Sequence, residues 1–258
     1  RDGGNPAGAA AGFWDFTLDF YGGDGISDEI LAACRDLTSL LTDGGTLQDG
    51  LKERLIALRK VVDEKSVDEV LRGPIQGAIE LASELGKEPP VFEVSDPSVR
   101  VPSKTSELLQ NVLVHVFRNA VDHGLEMPDE RSQKGKDPCG RIKVTTASNE
   151  GTLRITVGDD GRGLNLGSLR EKYIEMYGAG AADKASAAEL AEIIFESGLT
   201  TAAEVTDVSG RGVGMDAVRS FVRAEGGSVS LSLIGEPSAE QPCPFEVNLE
   251  IPLSYGTS

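Results

Sequence analysis

Apolar residues recur every three or four positions along three segments of the chain after residue 66, which is the spacing of an amphipathic helix. The first segment covers residues 67–87, and a Gly-Pro pair at positions 73–74 predicts that its helix is broken or kinked there. The second segment is long and ends at Gly124, a residue type that commonly terminates helices. The third begins near Gly214. The periodicity therefore predicts three helices, with a loop-and-helix region before the last one.

Alternating apolar and polar residues predict strands between these helices. The alternation covers residues 91–96 and 141–159, where an Asn-Glu-Gly sequence predicts a turn between two strands. It returns near the C-terminus in residues 228–235 and 245–253. Because helices and antiparallel strands are segregated along the chain, the fold class expected is α+β, as a two-layer sandwich.

The first 65 residues have a different pattern. Residues 1–24 contain a Gly/Ala/Pro-rich stretch followed by several aromatic residues, which indicates a flexible linker or a docked arm. Residues 25–65 predict two amphipathic helices joined by a Gly-Gly turn, a helical hairpin that must bury its apolar stripe. Docking onto the main domain and pairing with a partner or a second copy, as a homodimer, both satisfy that need. Because the chain starts at Arg1 rather than Met, we expect it to be a piece of a longer protein.

Composition restricts the partners that the chain can bind. Among 258 residues, 39% are hydrophobic and the formal net charge is −17. Such a negative field disfavours nucleic acid and direct membrane contact, since DNA, RNA and anionic lipid surfaces are polyanions. Three widely spaced cysteines favour a reducing, cytoplasmic location over a disulfide framework or a zinc site. No stretch has the length of a membrane span or the form of a signal peptide.

The first candidate for chemistry is the polar stripe of the second predicted helix. His115 and Asn119 lie one turn apart, and Asp122 or His123 follows at the next turn, so these side chains share one helix face. The chain contains only two histidines, and both lie in this stretch. A solvated polar face is the alternative interpretation of the pattern.

The second candidate is the sequence GDDGRGL at the end of a predicted strand. Gly161 and Gly163 allow the backbone to approach a ligand closely, and Asp159 can accept a hydrogen bond from an exocyclic amine. An acidic turn with no ligand would have the same composition. This motif alone leaves both interpretations open.

The third candidate is the sequence SGRGVGMDAV, in which Gly210, Gly212 and Gly214 alternate just before a predicted helix. This arrangement exposes backbone N–H groups and a helix N-terminus, both of which attract anions, and Arg211 adds a positive charge. A flexible loop is the alternative. A Rossmann-type dinucleotide site is rejected, because no strand-to-helix unit surrounds the glycines.

The order of the three motifs is more specific than any one of them. An Asn-bearing helix, an Asp-Gly-x-Gly turn and a Gly-x-Gly-x-Gly helix start together resemble the GHKL, or Bergerat-type, ATP-binding fold of histidine kinases, gyrase-type ATPases and related chaperones. Over about residues 66–258 the chain is similar to the catalytic domain of chemotaxis-type, CheA-like histidine kinases. The sequences that carry this resemblance are LASELGK, HVFRNAVDHGLE, VGDDGRGL, FESGLTTAAEVTDVSGRGVGMDAV and the later EGG. The resemblance implies a mixed, mostly antiparallel sheet with helices on one face.

The resemblance also implies roles for the helix residues. Asn119 would coordinate the Mg²⁺ that bridges the ATP phosphates, and an amide oxygen suits this hard cation. His115 would occupy the position of a catalytic-base-like or phosphate-contacting group. Asp122 and His123 belong to the same motif, with His123 near the phosphates.

The other motifs would complete the ATP site. Asp159 would bind the adenine amino group, in a pocket shaped by Gly161 and Gly163, and Phe195 matches an aromatic position of the family. Gly210, Gly212 and Gly214 would form the phosphate end of a lid over ATP, and Arg211 would help to hold the triphosphate. Ser209, Thr200 and Thr201 would flank that lid.

Catalysis would then be phosphoryl transfer from ATP to a histidine imidazole, achieved mainly by positioning and charge neutralisation. Both histidines lie in the nucleotide motif and none lies in residues 1–114. The acceptor is therefore expected on a separate histidine-phosphotransfer domain, in the same protein or in trans, with a response regulator downstream.

Two departures from the family pattern keep other functions open. The sequence GEPSAEQPCPFEVNLEIP replaces a Gly-Thr-rich step that normally contributes a hydroxyl to the adenine pocket, which puts that contact in doubt. The family's SH3-like regulatory module does not follow Ser258, and the hairpin does not clearly match the family's dimerisation helices. The alternatives are a catalytically weak nucleotide-binding scaffold that regulates a partner through the N-terminal helices, and an ATPase that drives a conformational switch.

Overall fold

The structure is a computed structural model. Most of the residues that it describes belong to the second of two units. The chain divides into Arg1–Glu64 and Lys65–Ser258. The described residues are 64–96, 98–149, 151–196, 214–237 and 241–253. The predicted arm and almost all of the predicted hairpin lie outside these ranges, so the proposed domain boundaries remain predictions.

Both helices and strands occur along the described residues. The helices are α1 (Val67–Glu84), α2 (Ser103–Asn119), α3 (Pro128–Gln133), α4 (Leu166–Tyr177), α5 (Ala179–Ala182), α6 (Ala187–Glu192) and α7 (Met215–Ala224). The strands are β1 (Glu64–Ser66), β2 (Val91–Ser95), β3 (Arg100–Pro102), β4 (Arg141–Asn149), β5 (Thr152–Asp159), β6 (Ser228–Leu233) and β7 (Phe245–Pro252). A π-helical turn, Ala120–Gly124, follows α2, and a 3₁₀ turn, Ile193–Phe195, follows α6.

Five of the strands form one sheet in the order β2-β4-β5-β7-β6, and β1 pairs with β3 separately. β2 is parallel to β4, whereas the other neighbours in the sheet are antiparallel. Val157 of β5 lies opposite Val144 on one side and Val247 on the other. The expected mixed, mostly antiparallel sheet is confirmed.

The two faces of the sheet differ in chemistry. On the inner face, apolar residues such as Ile142, Ile155 and Leu249 are fully buried and share one core cluster with residues of α1, α2 and α7. On the outer face, Arg154 pairs with Glu250, and other neighbours are hydrogen-bonded threonine, asparagine and serine side chains. One apolar face and one polar face are what a two-layer α+β sandwich requires, so the predicted fold class is confirmed.

α1 begins with a capping box in which the Ser66 hydroxyl accepts from the Glu69 N–H and the Glu69 carboxylate accepts from the Ser66 N–H. The helix then continues through Pro74, so the expected break is wrong. Proline removes one backbone hydrogen bond, but Pro74 is buried in the face that packs on the core, and this packing offsets the loss.

The predicted turn between the two strands of residues 141–159 and the last predicted helix are confirmed. β4 ends at Asn149 and β5 begins at Thr152, and Gly151 between them has φ +77°, a left-handed conformation that glycine adopts without strain. α7 begins at Met215, directly after Gly214. Within the described ranges, no helix is both long enough and apolar enough to span a membrane.

Candidate functional site

A cavity of about 260 Å³ opens beside the C-terminal end of α2. Its apolar lining consists of Val116, Ala120, Val157, Leu164, Leu169, Ile194, Met215, Phe245 and Val247. Its polar and glycine lining consists of Asn119, His123, Gly124, Asp159, Gly163, Lys172, Glu196, Gly214 and Asp216. A cavity with mostly apolar walls and a few converging polar groups is the usual form of a small-molecule site. Five residues predicted from sequence meet here: Asn119, His123, Asp159, Gly163 and Gly214.

Asn119 is the last residue of α2 and lines the cavity. Its side-chain Nδ2 is buried and has no hydrogen-bond partner. A buried polar atom without a partner costs free energy, which a bound ligand would recover. The residue therefore fits a ligand-binding role, as its position in the motif predicts.

The turn after Asn119 is π-helical, with the Leu125 N–H donating to the Ala120 carbonyl at 2.8 Å. Because a turn closed over five residues is wider than an α turn, each residue advances by a smaller angle. His123 lines the cavity beneath Asn119, whereas Asp122 is not among the lining residues. Asp122 is instead 3.8 Å from the His123 Nε2. The shared helix face expected from α-helical spacing thus includes His123 and omits Asp122.

His115 lies one turn before Asn119 but does not line the cavity. Its side chain is half-buried, and burial, together with the nearby positive charge of Arg118, lowers the pKa of the imidazole. The neutral ring is thereby favoured. The structure places His115 beside the candidate site rather than on its wall.

Asp159 is the last residue of β5, and its carboxylate lines the cavity. Burial raises the pKa of Asp159 to about 6, and the negative charges of Asp160 and Glu126 act in the same direction. The Gly161 N–H donates to Asp159 Oδ1 at 2.9 Å, which fixes the carboxylate and partly opposes the shift. The result is a partly buried acceptor that is ionised near neutral pH and protonated in mild acid.

Two glycines of this motif are required by close contacts. A Cβ at position 161 would lie 2.2 Å from the Gly124 carbonyl oxygen. A Cβ at position 163 would lie 2.6 Å from the Cys243 carbonyl oxygen, and Gly163 also has φ +73°. Gly161 itself is not a lining residue. It acts instead by letting the Asp159 turn approach the end of the π-helical turn.

A group of four charged side chains behind the site, two of them buried and two partly exposed, was not anticipated from the sequence. Arg131 of α3 is 1% exposed and donates to Glu126 Oε2 at 3.1 Å and to Asp160 Oδ2 at 2.8 Å. Lys136 donates to Glu126 Oε1 and to the carbonyls of Asp160 and Gly161. We call these four side chains, Glu126, Arg131, Lys136 and Asp160, the charge cluster. It connects the segment after α2 to the turn that carries Asp159.

The charge cluster also determines the ionisation of Glu126. Burial alone raises the pKa of this carboxyl, but hydrogen bonds from Lys136, from the backbone and from Lys134 lower it to about 2. In the sequence, charged residues between a helix and a strand have the composition of a solvated loop. Only their burial distinguishes them from such a loop.

Phe195 is buried and supports the site from behind, without lining the cavity. The Arg219 guanidinium lies 4.0 Å from the centre of its ring, a cation–π contact. Arg219 also pairs with Glu192. Because the neighbours of Phe195 on both sides, Ile194 and Glu196, line the cavity, its packing fixes that part of the wall.

Three charged lining residues were missed from the sequence. Lys172 belongs to α4, Glu196 follows the 3₁₀ turn, and Asp216 lies in the first turn of α7. Lys172 follows Leu166 and Leu169 at three-residue spacing, which places it on the inward face of α4 and could have revealed it. No comparable pattern precedes the two acidic residues.

In the segment that departs from the family pattern, no side chain of the described residues 235–237 and 241–252 carries a hydroxyl group. Cys243 exchanges two backbone hydrogen bonds of 2.8 Å with Leu164, and its thiol contacts the carbonyls of Ile234 and Pro244. The side chain is buried in a small cluster with Leu166 and Ala191, away from the cavity. Phe245 and Val247 line the cavity beyond it.

Part of the predicted site lies outside the described residues. These positions are Thr200, Thr201, Ser209, Gly210, Arg211 and Gly212. Gly214, the last glycine of the motif, is described: it precedes α7, and its carbonyl accepts from Ala217 at 3.2 Å. The roles predicted for the other positions remain predictions.

A divalent cation would have to be held mainly by its ligand. Among the described residues, no group of three or more His, Cys, Asp or Glu side chains could hold a metal ion. Mg²⁺ commonly takes one or two protein ligands and completes its octahedron with phosphate oxygens and water. Asn119 lines the cavity, and the oxygen of its amide is a ligand of the type that Mg²⁺ accepts.

Comparisons with known proteins agree on one family. The model of the "Histidine kinase-, DNA gyrase B-, and HSP90-like ATPase" family matches residues 104–254. The chain is 34% identical to the chemotaxis protein CheA of Rhizobium meliloti, over 71% of this chain and 25% of that protein. It is 36% identical to CheA of Salmonella typhimurium, over 59% of this chain and 22% of that protein.

A third relative has a different biological setting. The gliding motility regulatory protein of Myxococcus xanthus is 44% identical over 48% of this chain and 16% of that protein. The chain thus spans about a quarter or less of the length of these curated relatives.

Proposed function

Because the chain belongs to the histidine kinase-, DNA gyrase B- and HSP90-like ATPase family, we propose that it is the catalytic domain of a CheA-like histidine kinase. In this proposal it binds ATP with Mg²⁺ and transfers the γ-phosphoryl group to a histidine on a separate phosphotransfer domain. A downstream response regulator would then receive the phosphoryl group. The free cysteines Cys139 and Cys243 favour a reducing, cytoplasmic setting for this reaction.

One observation carries the proposal: a single cavity is lined by Asn119, whose amide nitrogen is buried and unpartnered, and by the partly buried carboxylate of Asp159. Asp159 can accept a hydrogen bond from the adenine amino group, while the apolar walls cover the faces of the base. An oxo group in place of the amine, as in guanine, would place two acceptors against each other. The site therefore favours adenine over guanine.

The other polar lining residues suit a polyphosphate. Lys172 and His123 offer donors, and Asn119 offers an amide oxygen to a metal ion. Bound Mg²⁺ would neutralise charge on the β- and γ-phosphates during transfer. The carboxylates of Glu196 and Asp216 line the same cavity, so a metal-complexed nucleotide is favoured over a free, more negative one.

The acceptor histidine is proposed to lie outside this chain. His123 lines the cavity beside the proposed phosphate position, whereas His115 does not line the cavity. Although the His123 side chain is 56% exposed, its imidazole belongs to the wall of the cavity, whereas the acceptor imidazole has to approach the γ-phosphate from outside that wall. A homodimer formed through residues 25–65 would allow the acceptor to come from either copy.

Calorimetric titration with ATP tests the proposal, with and without Mg²⁺. Wild-type protein is expected to bind ATP, and Asn119→Ala is expected to remove most of the gain in affinity that Mg²⁺ provides. Asp159→Ala should weaken ATP and adenosine alike, because its contact is with the base. Absence of ATP binding to the wild type would overturn the proposal. Binding without transfer to any phosphotransfer domain would favour the scaffold alternative.

A further inference from the structure

Lys87 makes an unusual set of contacts with the π-helical turn. Its ammonium donates to the carbonyl of Val121 at 2.6 Å, of Asp122 at 2.8 Å and of Leu125 at 2.9 Å. An ammonium has three N–H donors, so all of them are used on one short segment of backbone. Lys87 itself lies outside the cavity lining.

The end of α1 fixes the starting point of this side chain. The Lys87 N–H donates to the Ala82 carbonyl and the Gly86 N–H to the Ser83 carbonyl, with Gly86 at φ +70°. These are the two hydrogen bonds of a Schellman motif, which ends a helix in a defined geometry. Lys87 is therefore held by backbone contacts before its side chain reaches the turn.

Two of the three contacted carbonyls are among those that the end of a helix leaves unsatisfied. The last carbonyls of a helix have no intrahelical partner, and a buried carbonyl without one is costly. Lys87 supplies donors to two of them, those of Val121 and Asp122, and to the carbonyl of Leu125, the residue that follows the turn. Burial lowers the pKa of Lys87, while the negative charge of Asp122 opposes this shift.

The same turn is where the two ends of the site meet. The turn directly follows Asn119, and its residue His123 lines the cavity. Its last residue, Gly124, accepts a hydrogen bond from the Arg162 N–H at 2.9 Å and lies against the Asp159 carboxylate. A change in the path of the turn would move His123 and the Asp159 turn together.

We infer that Lys87 is a positioning residue, which holds Ala120–Gly124 in the π-helical path that brings His123 and the Asp159 turn to one cavity. This inference rests on the proposed nucleotide-binding function. Lys87 touches neither the nucleotide nor the metal ion, and it acts only through the backbone of the turn. Without its ammonium the turn would lose three hydrogen bonds that favour the wide geometry over a regular α turn.

The test compares Lys87→Met with Lys104→Met. Lys104 is an exposed lysine whose ammonium pairs with Glu225, so its replacement controls for the loss of a charge and an ion pair. For both variants, ATP affinity is measured by calorimetry well below the melting temperature, so that only folded protein is compared. The ring signals of His115 and His123 are followed by NMR. Because the chain has only two histidines, these signals are simple to assign.

If Lys87 positions the turn, Lys87→Met lowers ATP affinity by about tenfold or more, as loss of supporting hydrogen bonds does at other sites. The His123 signals shift, the His115 signals stay in place, and Lys104→Met behaves as wild type. A Lys87→Met variant with wild-type ATP affinity and unchanged His123 signals overturns the inference, even if its melting temperature is lower.

Two further results are also decisive. If Lys87→Met does not fold, Lys87→Arg replaces it under the same criteria, because arginine retains the charge but its planar guanidinium does not match three converging carbonyls. If wild-type protein fails to bind ATP, the proposed function is overturned. The His123 signals then still decide whether Lys87 sets the path of the turn.

Discussion

At the scale of single residues, the properties of Asp159 come from its surroundings rather than from its type. A carboxyl group at the end of a strand is normally ionised and solvated. Here burial and two neighbouring negative charges raise its pKa to about 6, and one backbone N–H from Gly161 orients it. The charge that we propose to recognise the adenine base is therefore present at neutral pH and lost in mild acid.

This predicts a pH dependence of adenosine binding. The folded-state pKa is about 6, so the carboxylate becomes protonated as pH falls through that value, and its charge-assisted hydrogen bond to the amine becomes a weaker neutral one. Adenosine affinity should fall roughly three- to tenfold between pH 7 and pH 5. Adenosine is the probe because it has no phosphate to titrate. Equal affinities at the two pH values, or the same pH dependence in Asp159→Asn, would contradict this account.

Gly161 gives a second prediction at this scale. In Gly161→Ala the new Cβ would lie 2.2 Å from the Gly124 carbonyl oxygen, so the two turns must separate. We expect a loss of about 2–4 kcal/mol in the free energy of unfolding, measured by urea denaturation, and a large loss of ATP affinity. Gly77→Ala is the matched control: nothing lies within 4 Å of its new Cβ, and alanine in a helix should stabilise by about 0.5–1 kcal/mol. A Gly161→Ala variant as stable as wild type would refute the steric argument.

At the scale of elements, most helices and strands could be predicted from the sequence because their patterns reflect which face is buried. The inward residues of β4 and β5 alternate with polar ones, and α2 has the period of a helix packed on one side. The continuity of α1 through Pro74 could not be predicted, since it depends on packing against the rest of the core. Neither could the π-helical turn, because the sequence after Asn119 is compatible with an ordinary α turn.

The candidate site was predictable to a similar degree. Asn119, Asp159 and the glycines were found because their spacing and order are specific. The roles of Lys87 and of the charge cluster were not predicted, because they depend on contacts with segments distant in sequence. Lys87 reaches carbonyls 34 to 38 residues away, and Arg131 reaches Asp160 across 29 residues.

The charge cluster leads to a prediction about stability in acid. Glu126 has a folded-state pKa of about 2, below its ordinary value of 4.5. Its contribution to stability is therefore complete above pH 4.5 and is lost as pH falls from 4.5 toward 2. In urea denaturation, the difference in stability between wild type and Glu126→Gln should shrink over this range. A difference independent of pH would show that the Glu126 charge does not contribute.

Removing Arg131, the buried partner of Glu126, should lower the free energy of unfolding by a larger amount at neutral pH. Arg131→Met leaves Glu126 buried with only the two lysines as partners, and breaking a buried ion pair typically costs about 3–5 kcal/mol. Arg72→Met is the matched control, because Arg72 pairs with Asp68 on the exposed surface of α1. We expect the control to change stability by less than about 1 kcal/mol. Similar losses in both variants would mean that burial of Arg131 has no special energetic role.

At the scale of the whole molecule, the negative charge and the two histidines together favour a division of the reaction between a nucleotide-binding domain and a separate acceptor domain. A chain with a net charge of −17 repels free polyanions, so ATP is expected to enter as its metal complex. Both histidines lie in or beside the motif that borders the cavity. In the proposed function, the chain supplies the nucleotide site and another domain supplies the imidazole that receives the phosphoryl group.

The most direct test of this division is phosphoryl transfer from γ-labelled ATP, with the chain alone and with a separate histidine-phosphotransfer domain added. The account predicts no phosphohistidine on the chain itself, and acid-labile, alkali-stable label on the added domain that requires Mg²⁺ and is lost with Asn119→Ala. Stable labelling of His115 or His123 in the chain alone would contradict the central claim that this chain is the donor site and the acceptor lies elsewhere.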